Sequence, residues 1–256
     1  MILYPVPNGW VAVRQSAHAL LSFQLADHWG NRTTPRPAPR ADVLAAVLLH
    51  DVGWDDREEP PRLASDGSPL AFDTLPEDER EALWSAAVER AAIRGRYVAY
   101  LVSHHVSQLA ARYSTTPHPA FLATEAERCA ALVGDLAADP RYRAALAPAA
   151  DAANRAVVHL TDAIAVHLLR GETAPCDLGA LPWREDGAVL TLEPAGMNAY
   201  RLSPWPLAGR RLTVHTEGRR LPTRTFADEG ALSRAWTAAM TVRLSWTLLP
   251  PGAPRP

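Results

Sequence analysis

The first candidate for chemistry is an adjacent imidazole and carboxylate, His50 and Asp51, at the end of an apolar helical stretch. Such a pair is costly to bury unless a cation or a hydrogen-bonding partner satisfies it. Three more ionisable side chains fall on apolar stripes of other predicted helices, namely His18, His105 and Asp162. Imidazole nitrogens and carboxylate oxygens without a thiolate suit Fe, Mn, Zn, Co or Ni. These side chains are therefore predicted to bind a metal, the alternative being separate hydrogen bonding of each one within the core.

The helices that must position these side chains are indicated by apolar residues that recur every three to four positions. They are expected over residues 14–29, 42–50, 77–92, 97–112, 123–137 and 150–169. The last of these is apolar almost all round, which is typical of a helix at the centre of its domain. His159 and His167 on that helix are interpreted as structural.

Beyond Gly171 the pattern changes to short alternating strands separated by Gly, Pro and Asp, with one helix over residues 227–240. Residues 1–13 are predicted to be a short extended segment and a candidate to join the C-terminal strands in one sheet. The predicted fold is therefore mainly α. Residues 1–171 are expected to form a helical metal-binding domain that includes the N-terminal strand, and residues 172–256 a small α+β appendage packed on it.

The composition limits the classes of partner and of chemistry. With 256 residues, 48% of them hydrophobic, the chain can bury a sizeable core. The formal charge is -2 and no like-charged run occurs, so neither nucleic acid nor a membrane is expected as a partner. All 26 basic side chains are Arg, which excludes lysine-based catalysis. We predict that the protein acts on a small molecule. No signal peptide or apolar run of about 20 residues is visible, so we expect the protein to be cytoplasmic. The sequence does not decide between a monomer and a homodimer.

The order of the candidate residues resembles that of the HD-domain superfamily, with a helical histidine, then the His-Asp doublet, then an aspartate on the last core helix. Further segments of note are Arg14-Gln15, Ala26-Asp27-His28-Trp29-Gly30, His50-Asp51-Val52-Gly53-Trp54, Leu101-Val102-Ser103-His104-His105, Thr161-Asp162 and Ser203-Pro204-Trp205-Pro206. These segments resemble a bacterial family of unknown function related to HD domains, DUF3891, and the resemblance covers most of the chain.

What the resemblance implies is an HD-like helical bundle that holds a divalent transition metal, Fe or Mn, as one or two ions. The first metal would be held by His18, His50, Asp51 and Asp162, with His105 as a ligand of a second metal or a contact to substrate. Asp51 and His105 are thus the expected catalytic residues. Most HD proteins are metal-dependent phosphohydrolases and a minority are diiron oxygenases. A non-catalytic metal- or ligand-binding module is the third alternative.

Two features bear on the choice between these functions. Many HD enzymes have a lysine three residues after the aspartate of the doublet, where this chain has Trp54. Trp54 and Trp29 near the site predict an aromatic wall that suits an organic substrate of little charge. Phosphate hydrolysis instead needs cationic groups near the metal, for which the candidates are Arg14, Arg57 and Arg112.

His104 is expected at the edge of the site, because adjacent residues on a helix diverge by about 100° and His105 faces the core. We predict hydrolysis of a phosphate ester or a related small molecule, ahead of oxygenation. The expected substrate contacts are Arg14, Trp29, Trp54 and His104.

Overall fold

The computed structural model describes residues 1–59, 61–114 and 118–254. It begins with a hairpin of two antiparallel strands, β1 (Ile2–Val6) and β2 (Gly9–Val13). Asn8 in the connecting turn has a φ of 63°, a left-handed conformation that Asn adopts more readily than most residues. The extended segment predicted at the start of the chain is therefore a pair of strands.

Within the described ranges, seven helices follow the hairpin. They are α1 (Gln15–Asp27), α2 (Arg40–Leu49), α3 (Glu77–Ala92), α4 (Arg96–Tyr113), α5 (Pro119–Ala137), α6 (Pro140–Arg143) and α7 (Pro148–Arg170). Proline begins α5, α6 and α7, where the missing backbone N–H removes no helical hydrogen bond. None of the helices in the described part of the chain is long and apolar enough to span a membrane.

The remaining strands join the N-terminal hairpin in one mixed sheet. They are β3 (Cys176–Ala180), β4 (Val189–Gly196), β5 (Ala199–Ser203), β6 (Leu212–Leu221) and β7 (Thr241–Leu249), and helix α8 (Glu229–Ala238) connects the last two. The strand order is β1-β2-β6-β7-β5-β4-β3. Strands β5 and β7 are parallel, and the other neighbouring pairs are antiparallel.

The prediction of a mainly α, HD-like bundle with a small C-terminal appendage is wrong. The described residues contain a curled seven-stranded sheet, with 48% of them in helices and 20% in strands. The error lies in the size of the sheet: Trp10 of β2 lies opposite Leu221 of β6, so the N-terminal hairpin and the C-terminal strands form one large sheet. Local periodicity identifies strands but not their distant partners. The division into domains at residue 171 stays a prediction.

Helices and sheet share one hydrophobic core. Leu25 of α1, Leu101 of α4 and Ile164 of α7 belong to the same buried cluster as Val13 and Trp246 of the sheet. Helix α1 packs against α7 and β6, and α7 packs against β1 and β3. Because α1 and α7 are held between the sheet and the other helices, polar side chains on their buried sides need partners within the protein.

Candidate metal centre

The structure brings the five predicted metal-binding side chains together from four helices. His18 lies on α1, His105 on α4 and Asp162 on α7, while His50 and Asp51 directly follow the end of α2. All five side chains are buried. The sequence pattern of ionisable residues on apolar stripes is therefore matched by a cluster in the fold.

A glycine allows the chain to turn closely after the doublet. Gly53 lies in a short 3₁₀ turn, Val52–Trp54, that packs on α3. A Cβ atom at this position would collide with the backbone oxygen of Leu83. The absence of a side chain at Gly53 thus lets the segment that carries His50 and Asp51 lie directly against α3.

Two imidazoles and one carboxylate meet most closely. The distance from His18 Nε2 to Asp162 Oδ1 is 3.1 Å, and that from His50 Nε2 to the same oxygen is 3.5 Å. Neither nitrogen has a hydrogen bond of good geometry within the described residues. Two ligands about 2.1 Å from one ion are separated by about 3.0 Å at a right angle and about 3.4 Å at a tetrahedral angle. The spacing of His18, His50 and Asp162 therefore fits three ligands of one ion.

The other ring nitrogens of these two histidines are already engaged. His50 Nδ1 donates to the backbone oxygen of Val47 at 2.6 Å, and His18 Nδ1 lies 3.2 Å from Asp51 Oδ2. Metal-binding histidines commonly donate their second N–H to a carbonyl or a carboxylate in this way. Asp51 Oδ2 also lies 3.4 Å from His50 Nε2. The geometry of Asp51 thus suits two roles, a fourth ligand or the carboxylate that orients His18.

The buried carboxylates control the protonation of the histidines beside them. Burial alone lowers the pKa of His18, but its contacts with Asp162 and Asp51 raise that pKa to about 10. Burial likewise lowers the pKa of His50, but the charge of Asp51 and the contact with Asp162 together outweigh that effect, so this pKa is also raised. The pKa of Asp162 lies well below its ordinary value, because contacts with His18 and His50 outweigh the effect of burial. The two carboxylates thus favour positive charge at this point, and either a protonated histidine or a divalent cation is able to supply it.

His105 adjoins the cluster from α4. Its Nε2 atom is 3.6 Å from Asp162 Oδ2, and its ring stands edge-on to that of His50 with the centroids 5.0 Å apart. Neither ring nitrogen of His105 has a hydrogen-bond partner in the described part of the chain. Burial lowers the pKa of His105 to about 3, so the ring is neutral. A neutral imidazole beside Asp162 is suited to bind a cation.

The cluster opens into a pocket of about 410 Å³, a volume suited to a small molecule. His18, Asp51 and Asp162 form part of its wall, so a ligand in the pocket can reach them. Helix α7 contributes a stripe formed by His159, Asp162, Ala163, Val166, His167 and Arg170. Aromatic and charged side chains make up much of the remaining wall: Trp54, Phe72, Trp84, Tyr113, Asp73, Arg80, Glu172 and Asp177.

Comparison with known protein families identifies the family of this chain. The model of a family described as "Protein of unknown function (DUF3891)" matches residues 1–223. The chain belongs to the DUF3891 family. The match includes all five side chains of the cluster and extends through β6. Neither a curated protein nor a solved structure matched the chain.

Two of the predicted substrate contacts differ in their position relative to the pocket of this DUF3891 member. Trp54 is on the pocket wall, as expected. Arg14 is outside it: the guanidinium pairs with Glu59 and stands 5.7 Å from the centroid of the Trp236 ring. The substrate contact predicted for Arg14 thus has no support in the geometry of the pocket.

The other two predicted contacts are also outside the pocket wall. Trp29 is buried in the core, with its ring 6.3 Å from that of Trp183 at nearly a right angle. His104 stands edge-on to Tyr100 at 4.7 Å, and burial together with Arg155 lowers its pKa to about 4. Both residues therefore contribute to packing in this DUF3891 protein.

The wall contains four basic side chains that the sequence analysis did not assign to it: Arg80, His159, His167 and Arg170. Helix α7 is apolar nearly all round, so its periodicity does not identify the face that lines the pocket. For α7, the spacing from Asp162 is the signal that could have found His159 and Arg170. His159 lies three residues before it and Arg170 eight residues after it, which places all three on one face of the helix.

Proposed function

We propose that this DUF3891 protein is a metal-dependent hydrolase that cleaves a phosphate ester of a small organic molecule. The proposal rests on one observation: donor atoms of His18, His50 and Asp162 lie close together beside a pocket. A structural metal site is closed off by its ligands, whereas a catalytic site keeps a position open to substrate. Because His18 and Asp162 line the pocket, the cluster is of the open kind.

The donor set supports a divalent transition metal, with Fe or Mn as the favoured ions. Imidazole nitrogens and carboxylate oxygens suit these ions, and no thiolate belongs to the cluster of His18, His50 and Asp162. When bound, such an ion supplies Lewis acidity, which polarises a phosphoryl oxygen and makes a water molecule more acidic. His18, His50 and Asp162 would hold the ion, and the pocket beside them would admit water and substrate.

Asp51 supports hydrolysis through its position. Its Oδ2 atom accepts from His18 Nδ1, which fixes the His18 ring with Nε2 towards Asp162. The Asp51 side chain also lines the pocket. A carboxylate there can orient the attacking water and accept its proton. The catalytic role expected for Asp51 is therefore retained in the proposal.

The pocket wall carries two guanidinium groups that suit a phosphate ester. Arg170 pairs with Asp73 at 2.6 Å, and Arg80 donates to the backbone oxygen of Leu75 at 3.0 Å. The buried Nε atom of Arg80 has no hydrogen-bond partner among the described residues. Guanidinium N–H groups bind phosphate oxygens in pairs. Carboxylates outnumber these two arginines on the wall, which favours a singly phosphorylated substrate over a polyphosphate.

A diiron oxygenase of the HD type is the second candidate. The observation in its favour is His105, because Asp162 could bridge two ions if His105 Nε2 bound the second. Aromatic side chains such as Trp54 and Trp84 on the wall also suit an organic substrate of little charge. Among the described residues, however, the three donors that meet are those of His18, His50 and Asp162, which supports one ion. Hydrolysis therefore remains the first candidate.

The experiment that tests the proposal measures phosphate release. Protein freed of metal by chelation is reloaded with Mn²⁺, Fe²⁺, Co²⁺ or Zn²⁺ and incubated with a panel of small phosphate monoesters. We expect metal-dependent release by the wild-type protein and loss of release in Asp162→Asn. Asp135→Asn, which changes an exposed carboxylate of α5, is the matched control.

Two outcomes would contradict hydrolysis. Two irons per chain with substrate-dependent oxygen consumption and no phosphate release would support the oxygenase. Retention of metal without either activity across the panel would support a non-catalytic binding module.

A further inference from the structure

We propose that His159 binds the substrate by a hydrogen bond to a hydroxyl group of its organic portion. The inference rests on the proposed function, because it concerns the same pocket. It defines the substrate class more closely, as a small phosphate monoester that carries hydroxyl groups near the phosphate.

The position of His159 relative to the metal cluster supports this role. His159 and Asp162 both lie on α7 and both line the pocket. Residues three apart on a helix are separated by a rise of about 4.5 Å and differ by about 60° in direction. A phosphate ester held beside Asp162 therefore brings its first few organic atoms within reach of the His159 ring.

The His159 ring is buried without an internal partner. The residue is 4% exposed, and neither Nδ1 nor Nε2 has a hydrogen-bond partner among the residues that the structure describes. Its ring neighbour is His105, with the centroids 6.2 Å apart and the planes tilted by 50°. Two unpaired ring nitrogens at a buried position are costly, and a pocket wall is where a ligand can satisfy them.

The chemistry of the ring favours an uncharged hydroxyl group. A neutral imidazole offers one donor and one acceptor nitrogen, and a hydroxyl group can both accept and donate. Burial lowers the pKa of His159, and the opposing charge of Asp162 does not cancel that effect. An uncharged partner therefore suits this ring.

The test compares two phosphate monoesters of equal chain length, glycerol 3-phosphate and n-propyl phosphate. Their affinities for the metal-loaded protein are measured by calorimetry, and their hydrolysis by phosphate release. We expect the wild-type protein to bind glycerol 3-phosphate about tenfold more tightly, since the second ester leaves the His159 nitrogens unpaired.

Three variants assign the preference to a residue. His159→Phe keeps a flat ring without hydrogen bonds and is expected to bind the two esters equally, with unchanged metal content. His159→Gln keeps a donor and an acceptor and is expected to retain part of the preference. His215→Gln, on β6 and outside the pocket wall, is the control and is expected to behave as wild type. Thermal unfolding verifies that each variant is folded.

Several results would overturn the inference. Equal binding of the two esters by the wild-type protein overturns it, as does a preference that survives in His159→Phe. Loss of one metal ion per chain in His159→Phe would identify His159 as a metal ligand and also overturn it. A preference for glycerol 3-phosphate without hydrolysis of either ester would refute the proposed hydrolase while the binding role of His159 stands. Hydrolysis of both esters with equal affinity would refute the binding role alone.

Discussion

His18 is in contact with both buried carboxylates of the site through its two ring nitrogens. Its two ring nitrogens lie 3.2 Å from Asp51 Oδ2 and 3.1 Å from Asp162 Oδ1, in a buried environment. One of these contacts orients the ring, and the other directs the second nitrogen to the point where His50 Nε2 also converges. A cation bound at that point would replace the ring proton that otherwise balances the negative charge of the two carboxylates.

Asp51→Asn tests the contribution of the carboxylate that orients His18. The amide keeps the shape of the side chain but removes its charge and weakens its acceptor. We expect the affinity for the metal to fall by roughly 10–100-fold with the fold retained, measured by titration against a competing chelator. Asp55→Asn, in the exposed turn that follows, is the matched control. An unchanged affinity in Asp51→Asn would show that Asp51 neither binds nor orients a ligand of the metal.

Residue types and burial allowed the cluster to be predicted, but not the wall of the pocket. His18, His50 and Asp162 are ionisable residues on apolar stripes, and such residues must meet partners wherever the helices pack. Trp29 was expected near the site as part of an aromatic wall, yet it packs in the core. His159 was interpreted as structural because it lies outside the apolar stripes of its helix, yet it lines the pocket.

At the scale of elements, α7 connects the candidate metal centre to the sheet. It supplies Asp162 and the stripe that lines the pocket, and it packs against α1, β1 and β3. Its C-terminal end is fixed by Gly171, which has a φ of 65°. A Cβ atom there would lie 3.1 Å from Cγ of Pro5 in β1, so the end of the helix fits closely against the first strand.

Gly171→Ala tests this close fit. The left-handed backbone and the contact with Pro5 both oppose a side chain, and we expect a loss of about 1–2 kcal/mol in the free energy of unfolding. Gly134→Ala is the matched control, because Gly134 is exposed within α5 and a Cβ atom there meets nothing within 4 Å. That change is expected to stabilise the protein by about 0.5–1 kcal/mol. Urea unfolding measures both, and equal effects at the two positions would contradict this view of Gly171.

Helices were predicted better than strands for a physical reason. The helix expected over residues 77–92 coincides with α3, because its apolar spacing is complete within the segment. β3 was not predicted: Cys176–Ala180 is short, contains Asp177 and Gly179, and becomes a strand by pairing with β4. A strand of this kind depends on its partner more than on its own residues.

At the scale of the whole molecule, the sheet joins the two ends of the chain around the helices. Strand β2 pairs with β6, and the core that contains Leu101 and Ile164 also contains Trp246 of β7. The mainly α prediction was wrong because the strands were taken to form a small appendage, whereas strands from both ends of the chain pair in one sheet of seven. The site was nevertheless predictable, because its donors are all on or next to helices.

The shared core leads to a prediction about cooperativity. We expect the metal-free protein to unfold in one transition, with far-UV circular dichroism, near-UV circular dichroism and tryptophan fluorescence coinciding. Independent folding of residues 1–171 and 172–256 would require breaking the β2–β6 pairing and dividing the core. Two separate transitions would instead support the division into domains at residue 171.

The central claim is that His18, His50 and Asp162 hold a metal ion, and the metal content of the purified protein tests it most directly. Wild-type protein and two variants, His50→Ala and the exposed His28→Ala, are analysed by mass spectrometry of the elements and by thermal unfolding. We predict about one Fe or Mn ion per chain in the wild type and in His28→Ala, and loss of that ion in a folded His50→Ala. Metal content that is unchanged in a folded His50→Ala, or absent from the wild type after loading, would contradict the account.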